Sequence, residues 1–165
     1  MLLEIVDARF HTFRDEDFWM LAEIESHPDV VRWNIEPYKG DKAEMYCSFK
    51  EAVERLQVEG DKIFLVGIFE GKVVGFVGVR PKNVGAVRVG EVGMSVHPNH
   101  WGKGFGTSLL KAAVKKARAE GFAKLELETT ASNKAMLRVA QKVGFKVKSV
   151  EKREAFDVVF MELTL

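Results

Sequence analysis

The sequence contains a single cysteine, Cys47, in 165 residues. An internal disulfide and a cysteine-rich metal site are therefore excluded, and one lone cysteine is weakly typical of a reducing compartment. An excess of charge is also absent, since 25 basic residues stand against 24 acidic ones and the net charge is +1. We therefore expect no overall attraction to nucleic acid or to an anionic membrane, and a charged ligand must be bound by local groups.

Long apolar runs are absent too. Residues 1–10 carry Glu4, Asp7 and Arg9 within their apolar stretch, which is neither the length nor the pattern of a signal peptide or a membrane span. We therefore expect a cytoplasmic protein. A hydrophobic fraction of 47% and a charged fraction of 30% fit a single domain over residues 1–165.

The apolar periodicity and the turn residues predict a chain with two differently organised halves. The first half is predicted to contain a strand over residues 1–8, helices over residues 15–26 and 42–58, and strands over residues 62–69, 73–80 and 87–96. The second half is predicted to contain a helix ending near residue 120, a strand over residues 124–130, a helix over residues 134–143 and two closing strands. The predicted fold class is α/β, or α+β by a stricter definition, with a mixed, mostly antiparallel central sheet, a β-α-β crossover and flanking helices.

A glycine-rich segment precedes the crossover helix. Its residues are Trp101, Gly102, Lys103, Gly104, Phe105, Gly106 and Thr107. The first turn of a helix has backbone N–H groups without intrahelical partners, and glycines let phosphate oxygens approach those groups. We therefore interpret the segment as an anion site, to which Lys103 adds positive charge. The alternative is a flexible turn that only permits tight packing of the strand against the helix.

Two nucleotide-binding motifs fit this segment poorly. A Walker loop needs Ser or Thr after its Gly-Lys pair, whereas Gly104 follows Lys103. The dinucleotide fingerprint needs a small third residue where Thr107 stands. A nucleotide-binding protein that uses the same helix terminus is therefore a lower-ranked hypothesis.

Two motifs of the sequence resemble those of the GNAT superfamily of acyl-CoA-dependent N-acetyltransferases. Residues 101–106, Trp-Gly-Lys-Gly-Phe-Gly, resemble its acetyl-CoA motif, (Gln/Arg)-x-x-Gly-x-(Gly/Ala). At the first position of the motif, Trp101 replaces the usual Gln or Arg. A tryptophan at this position resembles the branch that includes the ribosomal-protein N-terminal acetyltransferases. Residues 133–145 resemble the second motif, with Asn133 at the start of a helix and Gly144-Phe145 at its end.

The resemblance implies a GNAT-like fold and acetyl-CoA as cosubstrate. The four histidines, His11, His27, His97 and His100, show no metal-ligand spacing, so no metal is expected. The resemblance implies that the backbone of Met94, Ser95 and Val96 pairs with the pantetheine arm, that residues 102–107 hold the pyrophosphate and that Asn133 lies beside the coenzyme. It also implies that strands splay apart to open a cleft for the two substrates.

Transfer of an acyl group to an amine requires the loss of a proton, because an amine with a lysine-like pKa near 10.4 is mostly protonated at neutral pH. Glu128 lies on the polar side of an alternating strand, where the N-terminal acetyltransferases that this segment resembles carry a general-base glutamate. Glu91 is the second candidate, since it shares a strand face with Val87 and Val89. Glu128 is slightly preferred. The alternatives are a solvated Glu128 and an ion-paired or edge-exposed Glu91.

The tyrosine that the family often uses to return a proton to the departing thiolate is missing here. Its position, seven residues after Asn133, is occupied by Ala140. A CoA thiol is much more acidic than an alcohol, so the thiolate can leave with help from water or a helix terminus. The sequence therefore predicts catalysis without the family's usual general acid.

The acceptor is expected to contact the segment after the first helix, which contains Trp33, Glu36 and Tyr38. The two aromatic side chains are candidates for an apolar wall, and Glu36 for attracting a cationic amine. Equally, the aromatic side chains are consistent with a loop that is packed against the core.

The leading functional hypothesis is direct transfer of acetyl from acetyl-CoA to a primary amine. A protein N-terminus, a polyamine and a small-molecule amine are all open as acceptors, and the protein is expected to be a monomer or a homodimer. The second hypothesis, to which Ala140 points, is a non-catalytic module that binds or senses acyl-CoA.

Overall fold

The computed structural model describes residues 2–36 and 39–165. Its strands are β1 (Glu4–Asp7), β2 (Ile63–Phe69), β3 (Lys72–Pro81), β4 (Val89–Val96), β5 (Lys124–Thr130), β6 (Lys146–Lys152) and β7 (Asp157–Thr164). Its helices are α1 (Asp15–Ser26), α2 (Pro28–Val31), α3 (Lys42–Glu59), α4 (Phe105–Ala119) and α5 (Lys134–Val143), with a 3-10 turn at Pro98–His100. The predicted order of elements is confirmed.

The short helix α2 and the 3-10 turn were not predicted. Both begin with a proline that follows a histidine, and in both the histidine Nδ1 accepts a hydrogen bond from a backbone N–H two residues later. Proline is well tolerated in the first turn of a helix because it has no N–H to leave unpaired. His27-Pro28 was predicted only to end α1, but it also starts α2.

The seven strands form one sheet in the order β1-β2-β3-β4-β5-β7-β6. The pairing of β4 with β5 is parallel and every other pairing is antiparallel. Strands β2, β3 and β4 form an antiparallel meander, with β1 added at its edge. Helix α4 connects the two parallel strands, as expected for a β-α-β crossover. The predicted mixed, mostly antiparallel α/β fold is thereby confirmed.

The hairpin between β2 and β3 shows how local residues fix the meander. Glu70 and Gly71 form its two-residue loop, with φ values of 52° and 77°. Two consecutive residues with positive φ are characteristic of a type I′ turn, whose twist matches that of the flanking strands.

Two apolar cores cover the two faces of the sheet. On one face, α4 buries an apolar stripe that includes Leu109, Leu110 and Ala113. On the other face, α1 and α3 pack against β2 and β3 through residues such as Leu21 and Val53. No helix in the described part of the chain has the length and hydropathy needed to cross a bilayer.

Candidate functional site

An opening in the middle of the sheet forms the main feature of the site. Strands β4 and β5 pair only from Val89 with Lys124 to Glu91 with Glu126. Beyond these three pairs β4 continues to Val96 and β5 to Thr130 without pairing to each other. The splayed strands expected from the resemblance are therefore present, and a cavity of about 1390 Å³ lies between them.

The cavity extends from one face of the sheet to the other. On the α4 face it is lined by the first turn of α4, including Phe105 and Thr107. On the α1 and α3 face it is lined by Glu25, Phe49 and Phe76. We call these two sides the coenzyme face and the acceptor face, after the predicted ligands. Two molecules that enter from opposite faces can meet at the splay.

The glycine-rich segment forms an open cradle on the coenzyme face. Gly102 and Gly104 have φ values of 77° and 80°, in the left-handed region where glycine is strongly favoured. Gly104 is the N-cap of α4 and has no side chain to cap the helix. A Cβ atom at either glycine would meet nothing within 4 Å. The first-turn N–H groups therefore lie beneath an unobstructed surface, as an anion site requires.

Trp101 is attached to the strand that leads into this cradle. Its indole Nε1 donates a hydrogen bond of 2.7 Å to the carbonyl oxygen of Val96. Its side chain nevertheless remains 44% exposed and lines the cavity. The tryptophan thus joins the end of β4 to the cradle, while part of the residue stays exposed at the cavity.

Lys103 lies beside the cavity and does not line it, unlike the other residues of the predicted loop. Its Nζ is 3.2 Å from His100 Nδ1 and 5.4 Å from the centre of the Phe69 ring. Burial, followed by the charge of Lys103, lowers the pKa of His100. At neutral pH, Lys103 therefore supplies the positive charge of this pair and His100 is uncharged.

Asn133 and the predicted segment of β4 also line the cavity. The Asn133 side chain caps α5 by accepting from the N–H of Met136, at 3.2 Å, and donates to Thr129 Oγ1, also at 3.2 Å. Its amide therefore holds the β5–α5 connection at the edge of the cavity. Met94, Ser95 and Val96 lie on β4 beyond the last pair with β5.

The two candidate bases have different surroundings, although both line the cavity. Glu91 accepts a hydrogen bond from Arg80 and lies 3.6 Å from Lys82 Nζ. The hydrogen bond from Arg80 outweighs desolvation and lowers the pKa of Glu91, which makes this carboxylate a weaker base. Glu128 is exposed on β5, and its side chain lies on the opposite face of the strand from the buried side chains of Leu127 and Thr129. No ion pair between described residues includes Glu128.

The cavity wall contains a further carboxylate that sequence reasoning missed, Glu25. It lies in the last turn of α1 and is partly buried. Its Oε1 accepts a 3.4 Å hydrogen bond from Asn34 Nδ2. Burial raises the pKa of Glu25, and Asn34 and Ser95 oppose that rise. In the sequence it is one of several acidic residues in a surface helix, so only the tertiary contacts distinguish it.

The predicted acceptor segment reaches the same face. Trp33 and Glu36 line the cavity, and the Trp33 ring lies 4.8 Å from the guanidinium carbon of Arg32. Tyr38 lies outside the described residues.

The position of the family's tyrosine lies outside the cavity. That position is Ala140, which lies on α5 and is fully buried in the core. No tyrosine lines the cavity within residues 2–36 and 39–165. The same ranges contain no group of three or more His, Cys, Asp or Glu residues placed to hold a metal ion.

Comparisons with known proteins agree with this arrangement. Residues 18–145 match the family described as the acetyltransferase (GNAT) family. An acetyltransferase of the GNAT family from Streptococcus pneumoniae is 21% identical, with 99% of each chain covered and a TM-score of 0.77. A ribosomal-protein-alanine N-acetyltransferase from Brucella melitensis is 22% identical, with 100% of each chain covered and a TM-score of 0.76. At these identities the structural likeness shows a shared fold.

A third solved structure contains the coenzyme. It is a phosphinothricin acetyltransferase from Sinorhizobium meliloti in complex with acetyl-CoA, and it is 21% identical to this chain. The alignment covers 100% of this chain and 89% of that one, with a TM-score of 0.77.

Proposed function

Because the chain belongs to the acetyltransferase (GNAT) family, we propose that it transfers acetyl from acetyl-CoA to a primary amine by direct attack. We propose that residues 1–165 do so as one domain, in the cytoplasm, as a monomer or homodimer and without a metal. The observation that carries the proposal is the open glycine cradle at the start of α4, which borders a cavity through the splayed sheet.

The cradle fits the pyrophosphate of a coenzyme. Residues 102–107 present backbone N–H groups and the positive end of the α4 dipole, and Lys103 adds a charge at the rim. Beyond them, Met94, Ser95 and Val96 offer the unpaired edge of β4 to the pantetheine amides, and Asn133 and Trp101 border the same space. When bound, acetyl-CoA supplies an activated thioester.

Glu128 is the proposed general base. It faces the acceptor side of the splay and is not held in an ion pair between described residues, so it is available to take a proton from the amine directly or through water. Glu91, neutralised by Arg80 and Lys82, is the second candidate and is better suited to maintaining the shape of the wall.

The departing thiolate is proposed to take its proton from water. Ala140 is buried away from the cavity, and the described cavity wall contains no tyrosine to act as a general acid. A CoA thiol is much more acidic than an alcohol, which favours departure as a thiolate.

Two measurements test the proposal. Isothermal titration is expected to show acetyl-CoA binding at submillimolar ligand and to show ATP and NAD as poor competitors. Mass spectrometry of a panel of amines incubated with acetyl-CoA is expected to find an acetylated product. It is preferred to a thiol reagent because the exposed Cys47 would react with the reagent.

The alternative of a non-catalytic acyl-CoA-binding module is supported by Ala140 alone. Binding without turnover on peptides with free N-termini, polyamines and small amines would favour that alternative. Absence of acetyl-CoA binding would rule out both functions.

A further inference from the structure

Glu25 occupies a junction between three segments of the acceptor face. It lies on α1, its hydrogen-bond donor Asn34 lies just after α2, and Ser95, which also opposes the rise in its pKa, lies on β4 beyond the last pair with β5. All three residues line the cavity. The carboxylate is therefore held next to the part of β4 on which the acetyl donor is proposed to lie.

Its hydrogen-bond donor is neutral. In the part of the chain that the structure describes, the Asn34 amide hydrogen-bonds the carboxylate and no ion pair includes it. Glu25 also lies in the last turn of α1, where the helix dipole is negative and the turn contains no basic residue. Burial and dipole both disfavour an ionised carboxylate at this position.

Several partly buried carboxylates of the chain are neutralised by arginine. Glu91 pairs with Arg80, and Glu120 receives two hydrogen bonds from Arg9, at 2.8 and 2.6 Å. Glu25 thus differs from them in facing a large cavity while its charge is left uncompensated by its neighbours. A cationic ligand would supply the missing charge.

We propose that Glu25 binds a second cationic group of the acceptor, so that the preferred acceptors are diamines or polyamines and not monoamines. This rests on the proposed acetyl transfer and adds the class of acceptor. One amino group loses its proton to Glu128 and attacks the thioester carbonyl, forming the amide N–C bond as the C–S bond breaks. The other remains an ammonium bound to Glu25, with Asn34 holding the carboxylate in place.

The test compares α,ω-diamines of three to six carbons with n-alkylamines of the same length. In the unmodified protein, kcat/KM is expected to be at least tenfold higher for the best diamine than for its monoamine. The Glu25→Gln variant is expected to lose most of that ratio, through a higher KM for the diamine. Its KM for acetyl-CoA is expected to stay unchanged.

The matched control is Glu16→Gln. Glu16 lies on the same helix, but its side chain is 67% exposed and it pairs with Arg14 away from the cavity. The ratio of kcat/KM for the diamine to that for the monoamine should therefore be the same in Glu16→Gln as in the unmodified protein. Asn34→Ala, which removes a group holding the carboxylate, is expected to lower the ratio less than Glu25→Gln does.

A thermal melt separates binding from a structural role. Glutamine keeps the shape of Glu25 without its desolvated charge, so Glu25→Gln should melt at the same temperature as the unmodified protein or slightly higher. A marked fall in melting temperature with an unchanged diamine ratio would overturn the proposal.

The remaining outcomes distinguish the proposed role of Glu25 from the proposed acetyl transfer. Equal rates with diamines and monoamines, or acetylation of peptide N-termini alone, would overturn the role of Glu25 and leave the acetyltransferase intact. Failure to bind acetyl-CoA would overturn the proposed function itself.

Discussion

The coenzyme face and the acceptor face of the cavity are built in opposite ways. The anion site of the coenzyme face is one continuous segment, residues 101–107, whose backbone conformation makes the site. The acceptor face is assembled from α1, α3, the residues after α2 and the ends of β4 and β5, and its chemistry lies in side chains.

This difference separates coenzyme binding from acceptor specificity in the proposed reaction. Backbone N–H groups bind any pyrophosphate, so the coenzyme face needs little more than glycines and a helix start. Side chains from separate segments can change one at a time, and the acceptor face is therefore the place where specificity is set. Four changes test this division, beginning with the largest expected effect.

Glu128→Gln should have the largest effect. Loss of a positioned base is expected to lower kcat by roughly 100- to 10,000-fold, with acetyl-CoA binding unchanged by calorimetry. Glu91→Gln should lower kcat much less, since Arg80 already lowers the pKa of Glu91. A larger loss with Glu91→Gln than with Glu128→Gln would reverse the proposed assignment.

Gly104→Asp should disrupt the coenzyme face. A carboxylate at the head of α4 repels the pyrophosphate, and such like-charge contacts cost several kcal/mol, which corresponds to a loss of affinity of about 100-fold or more. Calorimetry with acetyl-CoA measures it. Gly85→Asp is the control, because Gly85 also has a positive φ and open space around it but lies away from the cavity. Equal losses in the two variants would show that backbone strain was the cause.

Glu120→Gln should leave both faces intact and reduce stability. Hydrogen bonding to Arg9 lowers the pKa of Glu120 from its ordinary 4.5, so its stabilisation is complete above pH 4.5 and is lost as the pH falls through the lowered value. We expect a loss of about 1–2 kcal/mol at pH 7, seen as a melting temperature lower by about 3–6 °C. The difference in melting temperature between the variant and the unmodified protein should disappear in acid. A constant difference from pH 7 to pH 3 would contradict the ion-pair explanation.

Trp101→Phe should have the smallest effect. It removes the hydrogen bond to the Val96 carbonyl, which is worth about 1 kcal/mol, and keeps an aromatic ring. Acetyl-CoA affinity is expected to fall by less than about fivefold. A much larger loss, with an unchanged melting temperature, would show that the indole itself contacts the coenzyme.

The same division explains what the sequence could predict. The order of elements and the cradle were readable because glycines, caps and apolar spacing act over a few residues, as at Gly104 and Gly144. Glu25 was not, since its distinction depends on its hydrogen bond with Asn34 and on its place in the wall of a cavity that it shares with residues of β4, which are far from it in the sequence. The ion pair of Glu91 with Arg80 depends in the same way on the register of β3 against β4.

Because β4 and β5 are paired at only three residue positions, two unpaired strand edges lie in the interior of the sheet. Unpaired strand edges on a protein surface invite pairing with other chains, which is a route to aggregation. Here the edges beyond Glu91 and Glu126 face each other across the cavity, so a second protein chain would have to enter the molecule to pair with them. The fold can thus keep free backbone donors and acceptors available to a slender ligand while withholding them from other proteins.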